Sequence, residues 1–212
     1  MPKTNWVADK LAENERLKVL GRSPENFLIV CFDGNYTFLV AVLSLKGVID
    51  LSDVEPLFAT ATKPQLVINV PSKTLWTGAA IDHIHAESAA FGTLGDVVRA
   101  ASTKDAGSYR DNDMGFFINA MRQHKNVSNV SYIFDRVFEA DRKVGASVVV
   151  AVIDAYNMSA EDVRNARTLL GHFDVVVKSS SYGSITTPAE AAAESMGAEA
   201  LTFGDLMRRL HK

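Results

Sequence analysis

The chain has 212 residues, of which 47% are hydrophobic and 22% charged, and its formal net charge at pH 7 is -3. This balance is typical of a globular core beneath a solvated surface and excludes a largely disordered chain. The mild acidic excess, with a pI of about 5.9, argues against a protein that wraps nucleic acid by bulk positive charge. The net charge still allows an enzyme that contacts nucleic acid through a local basic patch.

The N-terminal residues are charged throughout and lack the continuous apolar stretch of a signal peptide. The longest apolar run, residues 36–45, is too short to span a membrane. The single cysteine, Cys31, excludes an intramolecular disulfide and is expected as a buried, reduced thiol. These features predict a cytoplasmic protein without a membrane partner.

The first predicted element is a helix over residues 4–20, which Gly21 ends. Because it is weakly amphipathic, we expect it at the surface or at a subunit contact, so a homo-oligomer is one expectation. Residues 27–32 form a short apolar run typical of a buried strand, followed by an Asp-Gly-Asn turn. The run 38–45 either pairs antiparallel with that strand or begins a helix, and the pattern leaves both open.

Residues 66–70 predict another short buried strand, after which residues 74–145 form an irregular helical insert. Within it, apolar residues three and four apart predict a helix over 128–144. The polar stretch 102–113 is expected as a mobile loop that can act as a lid.

The C-terminal third alternates between strand and helix, with strands at 147–153, 173–177 and 198–201. Ser159 is a good N-cap for the first of these helices, and Thr187-Pro188 opens the second. The alternation predicts an α/β fold with a mostly parallel sheet flanked by helices. We expect an N-terminal helix over residues 1–25 and a single α/β domain over 26–212, and no internal repeat is evident.

Polar residues follow four predicted strands, and the carboxyl ends of parallel strands are where α/β proteins bind ligands. Aspartates Asp33 and Asp154 each follow an apolar run, and lysines Lys73 and Lys178 each stand beside hydroxyl groups. The other candidate ligand-binding residues at these strand ends are Asn69, Ser72, Thr74, Tyr156, Asn157, Ser180 and Tyr182.

The two carboxylates suit a hard cation, so Asp33 and Asp154 are the predicted ligands of Mg²⁺ or Mn²⁺. Lys73 and Lys178 are then the candidate catalytic residues that steady a phosphate group and its transition-state charge. The rings of Tyr156 and Tyr182 are expected to stack on a base or to orient the substrate. This set predicts a metal-assisted phosphoester hydrolase, nuclease-like, whose partner is a phosphate-containing ligand or nucleic acid.

Each of these residues also has an ordinary structural role. Asp33-Gly34 commonly makes a hairpin turn, and lysines at strand ends are commonly solvated. The alternative function is therefore a non-catalytic protein that binds a nucleotide or another small molecule, or that serves in assembly. A further pair, His83 and His85, would point to opposite sides of a helix and cannot share a metal there.

Two short segments resemble nuclease families. The segment FLIVCFDGN is similar to the first strand of NYN and PIN-type nucleases, which implies a metal-binding role for Asp33. Those families carry further acids near a later strand, whereas this chain has KSSSYGS there. The segment AAAESMGAEALTFGDLMRRL is similar to the closing helix–strand–helix of restriction-endonuclease-like domains, but their Asp…Glu-x-Lys signature is not evident, the nearest candidate being Asp50 or Asp53 followed by Lys73.

Overall fold

The computed structural model describes residues 3–211, and its chain divides into two compact units, Met1–Asp111 (unit 1) and Asn112–Lys212 (unit 2). Each unit has its own buried hydrophobic cluster, and each is described by itself below. The single domain expected over residues 26–212 stays a prediction. None of the described helices is long and apolar enough to cross a bilayer.

Unit 1 is built around a five-stranded mixed sheet with the order β1-β2-β3-β5-β7. The β1-β2 and β2-β3 pairs are antiparallel, and the β3-β5 and β5-β7 pairs are parallel. Strands β4 and β6 form a separate parallel pair. The elements are α1 (Lys3–Ala12), β1 (Leu17–Arg22), β2 (Leu28–Phe32), β3 (Tyr36–Leu43), β4 (Val48–Ile49), α2 (Leu51–Phe58), β5 (Leu66–Asn69), β6 (Leu75–Trp76), α3 (Gly78–Ala86), β7 (Ala90–Gly92), α4 (Asp96–Ser102) and a 3₁₀ helix (Ala106–Ser108).

Unit 2 contains a second five-stranded mixed sheet, with the order β12-β11-β10-β9-β8. The β8-β9 and β9-β10 pairs are antiparallel, whereas the β10-β11 and β11-β12 pairs are parallel. The elements are α5 (Asn112–Arg122), β8 (Val127–Phe134), β9 (Val137–Arg142), β10 (Val148–Ile153), α6 (Ala160–Leu170), β11 (Val175–Lys178), α7 (Thr187–Ser195), β12 (Glu199–Thr202) and α8 (Phe203–Arg209).

The two units therefore share one topology: a leading helix, three antiparallel strands, and then helix, strand, helix, strand and helix. The correspondence extends to the register, because Leu66 pairs with Val40 and Ala90 just as Val175 pairs with Val150 and Glu199. It extends to side chains as well. The Leu39 N–H donates to Oε1 of Gln65 at 2.7 Å, and the Val149 N–H donates to Oδ2 of Asp174 at 2.8 Å.

A sequence repeat accompanies this structural repeat, and the expectation of no internal repeat was wrong. Unit 1 has Thr93-Leu-Gly-Asp96-Val-Val-Arg99 at the start of α4, and unit 2 has Thr202-Phe-Gly-Asp205-Leu-Met-Arg208 at the start of α8. In both, the threonine hydroxyl donates to the aspartate, at 2.7 Å in unit 1 and 2.5 Å in unit 2. In both, the arginine three residues later forms an ion pair with that aspartate. The two segments thus share the same Thr–Asp–Arg cluster, although Thr202 also accepts from the Asp205 N–H as the N-cap of α8, whereas the N-cap of α4 is Gly95.

The structure confirms an α/β architecture, but both large sheets are mixed rather than mostly parallel. The open alternative for residues 38–45 resolves as a hairpin, since β2 and β3 pair through a turn in which Asp33 and Gly34 both have positive φ. The predicted insert at 74–145 is not mainly helical. The helix expected over 128–144 is replaced by the β8-β9 hairpin, with strands Val127–Phe134 and Val137–Arg142. The N-terminal helix ends at Ala12, and residues 17–22 form strand β1.

Candidate functional site

The candidate site lies at the carboxyl ends of β10 and β11, where the loops 154–159 and 179–186 lie side by side; we call these two loops the carboxyl edge of unit 2. Because β10 and β11 are parallel and Ile153 pairs with Lys178, both strands deliver their following residues to the same place. Five of the sequence-predicted site residues lie in these loops, and a sixth, Lys178, is the last residue of β11; the five are Asp154, Tyr156, Asn157, Ser180 and Tyr182.

The two loops are joined by several backbone and side-chain contacts. Met158 forms a parallel bridge with Ile185, and its N–H donates to the Ser184 carbonyl at 2.9 Å. The Ser184 N–H in turn donates to Oδ1 of Asn157 at 2.9 Å. Gly183 has a φ of +75° and packs so closely that a Cβ there would lie 1.9 Å from the Tyr156 carbonyl oxygen. The edge is thus a preorganised surface, and the Asn157 side chain connects its two loops by a hydrogen bond.

Lys178 is the last residue of β11 and only 3% exposed. Its ammonium group donates to the backbone carbonyls of Ser180 and Tyr182, which holds the loop after β11. No carboxylate of the described residues forms an ion pair with it. An ammonium has three donors and carries a full charge, and burying such a charge without a counter-ion is costly. The carboxyl edge therefore keeps one uncompensated positive charge and one unused donor.

The outer surface of the edge is formed by two tyrosines and an acid. Tyr156 is 68% exposed and Tyr182 is 74% exposed, and they stand on adjacent loops. Asp154 is exposed, and its Oδ1 accepts a 3.4 Å hydrogen bond from the Ser179 hydroxyl. Large exposed aromatic rings on fixed loops are well suited to stack on a flat ligand, because each exposes an apolar face with a polar tip. The carboxyl edge thus carries a hydrogen-bond acceptor and two exposed rings on its outer surface and a buried cation at the end of β11.

The helices that follow these loops also begin at the edge. The N-cap Ser159 forms a capping box with Asp162 in α6, and Thr186 caps α7 by accepting from the Ala189 N–H at 3.3 Å. Helix N-termini add partial positive charge at this edge, although Glu161 and Asp162 in the first turn of α6 offset part of it.

The remaining predicted ligand-binding residues belong to unit 1, at the carboxyl end of β5. Asn69 is buried there, and its side chain accepts from the Leu45 N–H at 2.9 Å and donates to the Leu45 and Pro71 carbonyls at 3.1 Å. Thr74 is also buried and donates to the Leu45 carbonyl at 3.2 Å. Ser72 and Lys73 are exposed on the same loop. Asn69 and Thr74 are therefore occupied in holding the loop together.

Asp33, the other predicted metal ligand, lies at the opposite end of the unit 1 sheet from Asn69. Strands β2 and β3 are antiparallel, so the carboxyl end of β2 adjoins the amino end of β3. Asp33 forms a two-point ion pair with Arg16, whose Nε and Nη2 lie 3.0 and 2.7 Å from its carboxylate oxygens. The hydrogen bond from Arg16 holds the pKa of Asp33 below its ordinary value. The structure thus places the predicted aspartates in different units, Asp33 in unit 1 and Asp154 in unit 2.

Among residues 3–211 no group of three or more His, Cys, Asp or Glu side chains is arranged to hold a metal ion. Comparisons with protein-family models, curated proteins and solved structures gave no match to this chain. The function is therefore inferred from the chemistry of the sites themselves.

Proposed function

We propose that the protein binds a nucleotide-like ligand, flat and anionic, at the carboxyl edge of unit 2. One observation supports this most strongly: Lys178 is buried without a carboxylate partner among the described residues, and its ammonium holds the loop that carries the exposed Tyr182. A buried charge that lacks a counter-ion inside the protein attracts an anion from outside, since the low local dielectric strengthens the interaction.

Each residue of the edge has a distinct task in this proposal. Tyr156 and Tyr182 stack on the base, and the Asp154 carboxylate accepts a hydrogen bond from an amino or hydroxyl group of the ligand. The hydroxyl of the exposed Ser181 donates to a phosphate oxygen, whereas the Ser179 hydroxyl already donates to Asp154. Base stacking on an aromatic side chain contributes roughly 1–3 kcal/mol per base, so the two rings dominate the expected affinity.

Titration of the four ribonucleoside 5′-monophosphates, followed by calorimetry, tests this. We expect saturable binding by the wild type and a loss of about 5- to 150-fold in affinity for Tyr156→Ala combined with Tyr182→Ala, from the stacking energy. The matched variant Tyr156→Phe with Tyr182→Phe keeps both rings and is expected to stay close to wild type. Absence of binding, or equal binding by the alanine and phenylalanine variants, would refute the proposal.

A metal-assisted phosphoester hydrolase is the second candidate, favoured by the exposed Asp154 in the carboxyl edge. Mg²⁺ is commonly bound through one or two carboxylates together with substrate phosphates and waters, so a single aspartate is compatible with a metal that arrives with the nucleotide. Calorimetric titration of Mg²⁺ and Mn²⁺ in the presence of a nucleoside triphosphate tests this. Binding and cleavage that Asp154→Asn abolishes would support hydrolysis, and Asp33→Asn is the matched control because Arg16 already neutralises Asp33.

A further inference from the structure

Unit 2 has an open cleft of about 400 Å³ at the end of its sheet opposite the carboxyl edge; we call it the amino cleft. It lies at the amino ends of the three parallel strands, where Val148, Asp174 and Glu199 stand at or just before β10, β11 and β12. Small residues, Ala146, Gly197 and Ala198, form part of its lining. None of the nucleotide-site residues proposed above lines it.

The corresponding place in unit 1 is filled by the chain itself. After α4, the segment 103–110 turns back over the sheet and buries Ala106 and Tyr109 in the unit 1 core. The Ala106 N–H donates to the Tyr36 hydroxyl at 2.7 Å. Gly107 packs tightly against the connection between α3 and β7. A Cβ on Gly107 would lie 2.2 Å from the Ser88 carbonyl oxygen and 3.7 Å from the Ala89 Cα. The stretch expected as a mobile lid is thus a packed segment.

The strand register relates these contacts to the amino cleft. Val40 corresponds to Val150 and Ala90 to Glu199, because they pair with the equivalent residues Leu66 and Val175. Counting back along each chain, Tyr36 corresponds to Ala146, Ser88 to Gly197 and Ala89 to Ala198. Tyr36, Ser88 and Ala89 all contact the covering segment in unit 1, and their three counterparts all line the open cleft in unit 2.

From this correspondence we infer that the amino cleft of unit 2 is a docking site for a short peptide segment of a partner protein. The peptide occupies the place that residues 103–110 fill in unit 1. The fold thus provides a site for a polypeptide segment at this position, and in unit 2 none of the described residues fills it. The replacement of Tyr36 by Ala146 at the same position widens the space available to the peptide.

The charges of the cleft define the peptide further. Arg209 pairs with Glu199 at 2.6 Å, and Asp174 accepts from the Val149 N–H at 2.8 Å, so these groups are engaged. Arg142 donates from Nε to the Ala146 carbonyl at 2.7 Å, which leaves its terminal nitrogens without a partner among residues 3–211. The Glu194 carboxylate likewise has no partner in that range. The cleft therefore suits a segment with small residues at its centre, an acid for Arg142 and a base for Glu194.

A display library of random eight-residue peptides, selected on the full chain, tests this inference. Ala146→Trp fills the cleft from an exposed turn, and Val144→Trp places the same ring on a residue of that turn which is 85% exposed and outside the cleft. We expect enriched peptides with a Gly- or Ala-rich centre that bind the wild type and Val144→Trp alike, and Ala146→Trp at least about tenfold more weakly, roughly 1.4 kcal/mol. Glu194→Gln is expected to weaken peptides that carry Lys or Arg.

Other outcomes would overturn the inference. These are no enrichment above a protein-free control, binding indifferent to Ala146→Trp, or saturation of the cleft by free amino acids with no peptide bound. Peptide binding is expected to survive Tyr156→Ala with Tyr182→Ala, so the result is independent of the nucleotide proposal. Circular dichroism of each variant checks that it is folded.

Discussion

Asn69 and Lys178 occupy the same position in the two units: each is the last residue of the fourth strand of its sheet, each is buried, and each hydrogen-bonds to the loop that follows. Asn69 donates to backbone carbonyls from a neutral amide, whereas Lys178 donates to them from a charged ammonium. A neutral residue is sufficient to hold this loop in the fold. The charge at residue 178 therefore calls for an explanation beyond structure, and an anionic ligand supplies one.

Replacement of Lys178 by alanine is expected to loosen the loop after β11. The Ser180 carbonyl loses its lysine donor and the Tyr182 carbonyl keeps only the Ser180 hydroxyl, which costs about 1–3 kcal/mol in local stability. Local opening should then be roughly 5- to 150-fold more frequent. Limited proteolysis with chymotrypsin, which cleaves after tyrosine, measures this at Tyr182. Lys143→Ala, an exposed lysine on the β9-β10 turn, is the control, and an unchanged cleavage rate in Lys178→Ala would contradict the assigned role.

The C-terminal elements could be predicted from the sequence because their local signals agree with the fold. The apolar run at residues 148–153 forms β10, and Ser159 is the N-cap of α6 as its sequence indicates. The shared position of Asp154 and Lys178 at one sheet edge also follows from two parallel neighbouring strands. Polar residues after buried parallel strands were thus an informative signal.

The β8-β9 hairpin could not be predicted from spacing alone. Its register shifts between Val127 and Asn129 and again between Tyr132 and Phe134, so the alternation of apolar residues is interrupted. Apolar residues then fall three or four apart and imitate a helical face. The placement of Asp33 was missed for a related reason, since an antiparallel pairing sends it to the opposite edge. The internal repeat had one visible signal, the Thr-x-Gly-Asp-x-x-Arg segments at residues 93–99 and 202–208.

Gly183→Ala is expected to separate the two loops of the carboxyl edge. At a φ of +75° the new Cβ would stand 1.9 Å from the Tyr156 carbonyl, so the backbone must move. Gly197 is the matched control, because it has a φ of +70° and nothing within 4 Å of its Cβ position. Gly197→Ala is expected to lower the free energy of unfolding by about 1–2 kcal/mol, the cost of the left-handed conformation alone.

Gly183→Ala is expected to lower the free energy of unfolding by more than Gly197→Ala, because a steric clash adds to the same conformational cost. It is also expected to weaken nucleotide binding. Urea denaturation and calorimetry together measure both effects. Equal stability of the two variants, with nucleotide affinity unchanged, would show that the close approach of Gly183 to Tyr156 is unimportant.

Asp96 makes the stability of unit 1 sensitive to acid. It is 6% exposed and accepts hydrogen bonds from the Tyr109 hydroxyl at 2.6 Å, from Thr93 at 2.7 Å and from Arg99. Burial acts to raise the pKa of Asp96, but these hydrogen bonds together outweigh it and the pKa lies below its ordinary value. Burial also raises the pKa of Tyr109 to about 12, so its hydroxyl remains a donor at neutral pH.

Because the folded pKa of Asp96 is depressed, its stabilising contribution is present above the unfolded pKa of about 3.9 and is lost as the pH falls below it. Asp96→Asn is expected to be less stable at pH 7 and to flatten the decline in stability between about pH 5 and 3. Tyr109→Phe is expected to cost about 1.5–3 kcal/mol at pH 7, the value of a hydrogen bond to a charged group. Thermal unfolding over this pH range measures both. Asp205→Asn is the comparison, because the equivalent Asp205 is only partly buried and its pKa is also lowered, chiefly by its hydrogen bond from Thr202. Parallel pH profiles for wild type and Asp96→Asn would refute the assignment.

The two units are expected to unfold in separable steps, since each has its own buried cluster and its own sheet. Both tryptophans, Trp6 and Trp76, lie in unit 1, so their fluorescence reports that unit while far-ultraviolet circular dichroism reports both. Leu66→Ala in unit 1 and Leu206→Ala in unit 2 each remove a fully buried side chain, at a cost of roughly 2–5 kcal/mol.

Leu66→Ala is expected to shift the urea midpoint of the fluorescence transition, which reports unit 1. Leu206→Ala is expected to leave that midpoint unchanged and to shift only the circular dichroism transition that belongs to unit 2. Conservative Leu66→Met and Leu206→Met variants control for the substitution itself. If both alanine variants instead move the two signals together, the chain unfolds as one cooperative unit, as the single domain predicted from the sequence requires. In that case the repeat describes the architecture of the chain without dividing its stability.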